Sequence, residues 1–219
     1  MARSDDASDL STGSPLASIA LVVLAAGRST RMGTPKPLVP LEGRPLLEHL
    51  LAAPVVREFR AVVVVLGHDA AAVLPVADRC GCRHVVNPDP DRGRTSSVQI
   101  GLEALGAPVG AVFVQPVDCP LVLPETYLAL AGAIGPADVA VPQYRGHGGH
   151  PPLVSAALVP RVRAAGPDEP LRKLLEAPDV RRELVDVDDP GVLVNVDRPE
   201  DLPPLVAVYR ARHRPKSGT

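Results

Sequence analysis

The chain has 219 residues, with 23 Lys+Arg against 25 Asp+Glu and a net charge of -2, a balance that excludes a general basic surface for nucleic acid or anionic membrane. Hydrophobic residues make up 46% but aromatic ones only 2%, so the core must be built from Val, Leu and Ala, and base-stacking platforms are excluded as well. No apolar run reaches the roughly 18 residues of a membrane span.

Residues 1–16 read as a loose leader, in which Met1–Ser14 are polar, acidic and Ser-rich without the pattern of a secretory signal. One domain is expected over 17–214, followed by a tail at 215–219. Three cysteines cannot all pair internally, and Cys80-Gly-Cys82 has no matching group at zinc-ligand spacing. A reduced, cytoplasmic setting is the simplest expectation.

In chain order, the continuous apolar run Ala17–Ala26 predicts a strand covered on both faces. Leu46, Leu47, Leu50 and Leu51 repeat at helical spacing behind Pro45. Ala61–Leu66 predicts the next strand, and Asp69 would cap a helix over Ala70–Ala77 that Pro75 bends or shortens. His84–Val86 predicts a weaker strand. A helix through Val98, Leu102 and Leu105 follows, capped by Thr95 or Ser96, and then the strand Ala111–Val114.

This alternation predicts an α/β fold: a single three-layer α/β/α Rossmann-like domain with a mostly parallel sheet. Past residue 137 the pattern loosens into short strands at Asp138–Val141, Pro152–Val154 and Glu183–Val187 around a helical stretch at Leu171–Glu176. A last helix opens at Pro199, with Glu200 and Asp201 early and Arg210, Arg212 and Arg214 late, an order that suits the helix dipole.

The loop after the first strand carries the most information. It reads Leu24-Ala25-Ala26-Gly27-Arg28-Ser29-Thr30-Arg31-Met32-Gly33-Thr34-Pro35-Lys36. Leaving a buried strand, it lies at the carboxyl edge of the sheet, where open α/β folds bind ligands. Gly27 and Gly33 let the backbone turn its N–H groups toward an anion. Arg28, Arg31 and Lys36 place three cations in one loop that lacks any acidic residue, which suits a triphosphate. The small residues Ala25 and Ala26 leave room for a base or ribose against the backbone. Neither a dinucleotide fingerprint nor a Walker loop fits, because five residues separate Gly27 from Gly33 and the lysine follows at Lys36.

This string closely resembles the signature of MobA-like nucleotidyltransferases. Its Ala-Ala-Gly form, with lysine three residues after the second glycine, is similar to the molybdenum cofactor cytidylyltransferase branch. The resemblance implies a Mg²⁺-dependent transfer of a nucleotidyl group from an NTP, with CTP favoured, onto a phosphate-bearing small molecule such as molybdopterin. Pyrophosphate would be released.

On that reading Lys36 and Arg31 are catalytic. Leu24, Ala25, Ala26, Gly27, Arg28 and Gly33 bind nucleotide. Asp118, in Val-Asp-Cys-Pro after the Ala111–Val114 strand, matches the family's magnesium ligand, and Asp197 in Asn195-Val-Asp197-Arg-Pro-Glu-Asp201 matches the second. Asn195 stands where the family usually has aspartate. Asn87, Ser96 and Ser97 match the loop that shapes the nucleotide pocket, although helix capping explains the two serines equally well. His150, in Gly-His-Pro-like surroundings, falls on the acceptor side. No nucleic acid or membrane partner is expected, and the assembly state is a monomer or small homo-oligomer. Transfer to a sugar or alcohol phosphate, or a non-catalytic accessory role in binding nucleotide or cofactor, are the alternatives.

Overall fold

A computed structural model describes residues 13–213 of the chain. In order they form β1 (Ile19–Ala25), β2 (Pro40–Leu41), β3 (Arg44–Pro45), α1 (Leu46–Ala52), β4 (Ala61–Leu66), α2 (Ala70–Arg79), β5 (Arg83–Val86), α3 (Arg94–Leu105), β6 (Ala111–Pro116) and α4 (Pro124–Ala133). There follow β7 (Val139–Tyr144), β8 (His147–Gly148), β9 (Leu153–Ser155), α5 (Val159–Ala164), α6 (Leu171–Leu175), β10 (Arg182–Asp186) and α7 (Leu202–Arg212).

The main sheet runs β10-β7-β9-β6-β1-β4-β5, with β8 added to β7. β1 sits in its middle, parallel to both β4 and β6. β9 alone runs antiparallel between β6 and β7, so the sheet is mixed but mostly parallel, as the alternation of strands and helices predicts.

The two-period of a strand explains the layers. Alternate residues of β1 point to opposite faces. Leu21 and Val23 enter one apolar cluster with Leu47, Val73 and Leu130 of α1, α2 and α4. Ala20 and Val22 enter another with Val98, Leu102 and Val162 of α3 and α5. β4 divides in the same way, with Val64 and Leu66 on the first face and Val63 and Val65 on the second. Each fully buried side chain of this kind is worth about 1.5–3 kcal/mol. The few aromatic rings are concentrated: Phe59, Phe113 and Tyr127 pack edge to face with centroids 5.1–5.7 Å apart.

Several local expectations change. Leu16, assigned to the leader over 1–16, is fully buried in a 3-10 turn at Pro15–Ser18, so packing begins before residue 17. Residues 1–12 and the 215–219 tail lie outside the described residues. α2 runs through Pro75 to Arg79, and Asp69 occupies its N-cap position without a side-chain capping bond. α3 is capped by Gly93 at φ +105°, with Thr95 and Ser96 inside the helix. The last helix is split into a 3-10 turn at Pro199–Asp201 and α7, and Arg214 lies outside the described residues. α4, which the sequence reading passes over, supplies Tyr127 and Leu130 to the core. Among the described residues, no helix is long and apolar enough to cross a membrane.

Candidate active site

The chain leaves β1 at the carboxyl edge of the sheet, between β4 and β6. Its loop is closed on Ser29: Met32 N–H donates to Ser29 O at 2.9 Å, and Lys36 N–H to Ser29 Oγ at 2.9 Å. Ser29 at φ +51° and Gly33 at φ +68° lie in the left-handed region. Glycine enters that region freely, whereas a residue with a Cβ pays for it in steric strain. A third apolar cluster underlies this loop. Val39, Leu41 and Leu46 pack with Val196 and Leu205, and Met32 lies against them. The cluster joins the segment that carries Lys36 to the one that carries Asp197.

Asp118 is positioned from beneath. Gln115, fully buried in β6, donates to Pro116 O at 3.0 Å and Cys119 O at 2.8 Å. Tyr127 of α4 donates in turn to Gln115 Oε1 at 2.8 Å. The amide therefore spans the turn that carries Asp118. Val117 N–H donates to Leu24 O at 3.1 Å, and Val196 N–H to Asp118 O at 3.1 Å. Asp201 accepts from both Asp197 N–H and Arg198 N–H at 2.8 Å, fixing Asp197 at the entry of the final helical segment.

These three loops meet in a cavity of about 390 Å³. At its base Lys36 Nζ donates to Asp118 Oδ2 at 2.8 Å and to Asp197 Oδ1 at 2.5 Å. Arg31 Nη2 stands 4.0 Å from the same Asp197 oxygen. Partial burial pulls the Lys36 ammonium down, but hydrogen bonds and charge from Asp118 and Asp197 prevail and hold it above its ordinary value. Hydrogen bonding from Lys36, against a smaller cost of burial, holds Asp197 below the ordinary carboxylate range.

Two carboxylates that share one cation are a fitting donor pair for Mg²⁺, which takes hard oxygen ligands and completes its shell with phosphate oxygens and water. Among the described residues no group of three or more His, Cys, Asp or Glu side chains forms a cage, so His147, His150 and the Cys80/Cys82 pair make no such site.

Leu24, Ala25, Ala26, Gly27, Arg28, Arg31, Lys36, Ser97, Asp118 and Asp197 all line the cavity. Gly33, Asn87 and Ser96 do not. Asn87 is buried behind the wall and donates to Ser96 Oγ and Ser97 Oγ, both at 3.0 Å, so it ties the loop before α3 to the first turn of that helix. Ser96 Oγ donates to Gly93 O at 2.8 Å, and neither serine caps the helix. Arg28 reaches across the mouth, where its Nε donates to Asp91 Oδ1 at 2.7 Å, its Nη2 pairs with Asp91 Oδ2, and His68 Nε2 lies 2.9 Å from Asp91 Oδ1.

His150 lies in a second cavity of about 640 Å³. Asn195 is exposed and reaches Asp197 Oδ2 only at 3.5 Å. Arg94 is the residue that sequence reasoning misses, although it lines both cavities. Its signal is faint: the second arginine of Arg92-Gly93-Arg94, at the start of α3.

The sequence matches the MobA-like NTP transferase domain over residues 21–187. The chain belongs to that family. This MobA-like nucleotidyltransferase resembles the crystal structure of a homolog of Mycobacterium tuberculosis Rv0371c from Mycobacterium sp. strain JC1. The TM-score is 0.78 at 30% identity, covering 89% of this chain and 98% of that one. It also resembles Rv0371c of M. tuberculosis H37Rv in complex with manganese, with a TM-score of 0.73 at 26% identity over 87% of this chain and 98% of that one. The bifunctional protein GlmU of Alkalilimnicola ehrlichii is 39% identical over 136 residues, which are 59% of this chain and 29% of that protein. The match thus spans under a third of that relative's length.

Proposed function

We propose that this MobA-like nucleotidyltransferase moves CMP from CTP onto a small phosphate monoester, with molybdopterin-type cofactor as the first candidate, in a cytoplasmic setting and as a monomer or small homo-oligomer. The observation that carries the transfer reading is Lys36, held between Asp118 and Asp197 at the base of a cavity whose rim carries Arg28 and Arg31. CTP as donor is supported by the Ala25-Ala26-Gly27 form of the loop and the spacing from Gly33 to Lys36.

A phosphate monoester has a second pKa of about 6 and is largely dianionic at neutral pH. It needs no general base. One of its oxygens attacks the α-phosphorus and forms a new P–O bond. The bond from that phosphorus to the β-bridging oxygen breaks, and pyrophosphate leaves with the electron pair. Catalysis then rests on positioning and on charge placed where it develops.

Arg28, Arg31 and the N–H groups of the loop hold the β- and γ-phosphates. Lys36 exchanges its carboxylate partners for oxygens of the α-phosphate and neutralises charge as the bond order changes. Asp118 and Asp197 would hold Mg²⁺, which when bound supplies charge neutralisation at the phosphate oxygens. Ser97, on the wall beside the first turn of α3, faces the nucleotide. Pyrophosphate release from CTP and Mg²⁺ with molybdopterin, in wild type and Lys36→Ala, tests the reading. Release that is lost in the variant supports it, and a variant with wild-type turnover refutes the role of the lysine.

A further inference from the structure

The second cavity lies beside the nucleotide cavity, and Arg94 stands in the wall of both. The charge of Arg94 acts on Asp197 on one side and on His150 on the other, so it marks the point where a group in one cavity meets a group in the other. At about 640 Å³, the second cavity is within the usual range for small-molecule sites, roughly 300–1,000 Å³.

The end lined by α6 and β10 has an unequal set of charges. Glu176 accepts from Arg172 Nε at 2.8 Å through Oε2, while Arg182 Nη1 stands 3.5 Å from Oε1. One carboxylate thus serves two guanidinium groups, which leaves one positive charge in excess at that end and a further one at Arg94. Leu171 and Leu175 supply apolar wall. His150 Nδ1 is buried and has no hydrogen-bond partner.

We infer that this cavity takes an acceptor with two separated anionic groups: a phosphate monoester held at Arg94 against the α-phosphate, and a second anion held by Arg172 and Arg182. The inference rests on the nucleotidyl-transfer reading and adds the chemical class of the acceptor. Glu176 holds the two guanidinium groups side by side, which limits the rotamer freedom lost when an anion docks. A planar guanidinium matches carboxylate-like anions through paired N–H donors. An acceptor with a phosphate but an uncharged far end would leave the excess charge unanswered.

A matched pair of probes reads this directly. 6-Phosphogluconate and glucitol 6-phosphate share a phosphate and a polyol chain and differ only in a terminal carboxylate or alcohol. Calorimetric titration of the wild-type protein is expected to show the carboxylate binding about tenfold more tightly, the size of one charge-assisted hydrogen-bond set. The R172A/R182A double variant is expected to bind the two equally. Arg94→Lys, which keeps the charge but not the fork, is expected to weaken both.

Equal binding of the pair by wild type, binding of neither at millimolar concentration, or a preference that survives the double variant overturns the inference. Titration of the wild type with Mg–CTP, Mg–GTP, Mg–ATP and Mg–UTP separates this failure from that of the underlying reading. Nucleotide binding without ester discrimination overturns the acceptor class alone. Failure of every nucleotide to bind overturns both.

Discussion

Lys36 Nζ lies 2.8 Å from Asp118 Oδ2, joining residues 82 apart in the chain at the carboxyl edge of the sheet. Because Asp197 Oδ1 is 2.5 Å from the same nitrogen, the ammonium engages both carboxylates proposed to hold Mg²⁺. Lys36→Ala is expected to lower turnover by about 10²–10³-fold, the usual scale for loss of one charge-stabilising group. The same variant should bind Mn²⁺ more tightly than wild type in the absence of nucleotide, since no ammonium competes for the oxygens. Titration of free Mn²⁺ by electron paramagnetic resonance reads this. Unchanged or weaker Mn²⁺ binding would show that the lysine and the metal do not compete.

Gln115 is expected to be more costly to replace than any surface polar residue. Gln115→Leu keeps the volume but strands Tyr127 Oη and the Cys119 carbonyl in a buried setting, while Pro116 O keeps the Cys119 N–H. Such orphaned groups cost about 1–3 kcal/mol each, so a loss of roughly 3 kcal/mol and a Tm lower by roughly 6–12 °C are expected. Since the amide holds the turn that carries Asp118, kcat should fall further than stability alone explains. Calorimetric melting together with steady-state kinetics checks both. A variant as stable as wild type would show that the network is dispensable.

The contrast between Lys36 and Gln115 shows what was legible in the sequence. The strand–loop motif marks Lys36 because cations without acids after a buried apolar run have few structural uses. Asp118 and Asp197 stand out only through the family resemblance, and their meeting depends on packing that the sequence does not display: Val39, Leu41 and Leu46 against Val196 and Leu205. Gln115 and Asp189 read as ordinary polar residues, yet both are buried; Asp189 accepts from Leu123 N–H and from the hydroxyl of Thr126, each at 2.8 Å. Partners so far apart in the chain leave no local pattern. α4 gives no clear signal because it is apolar nearly all round and so lacks the one-sided stripe of a surface helix. The cap of α3 differs from the expected Thr95 or Ser96 because Gly93 takes the turn that serine or threonine usually begins.

Arg28 and Asp91 form a clasp across the mouth of the nucleotide cavity. Both are well exposed, at 59% and 50%, so the pair adds little to stability. A triphosphate must draw Arg28 away from Asp91 to use it. Asp91→Asn is therefore expected to raise Mg–CTP affinity several-fold at low salt, leave Tm within about 2 °C of wild type, and lose part of its advantage as ionic strength rises. Weaker nucleotide binding in this variant would mean that Asp91 positions Arg28 rather than restraining it.

His150 and His49 are both depressed from the ordinary histidine value of 6.5, first by burial. For each, the folded pKa lies below the unfolded one, so the unfolded chain binds more protons between the two values. The stability this contributes is complete above 6.5 and is lost as pH falls through the folded values. Urea midpoints should therefore be lower near pH 5.5 than near pH 7.5, and His49→Gln with His150→Gln should flatten the difference. A wild-type midpoint that rises on acidification over this range would contradict the sign.

Nucleotide binding at the loop after β1 is the claim on which the rest depends. The most direct measurement is calorimetric titration with CTP, GTP, ATP and UTP, each with Mg²⁺, on wild type and Asp118→Ala. The account predicts binding led by CTP and lost or strongly weakened in the variant. Wild-type protein that binds no nucleotide, or an Asp118→Ala variant that binds Mg–CTP as tightly as wild type, would contradict it.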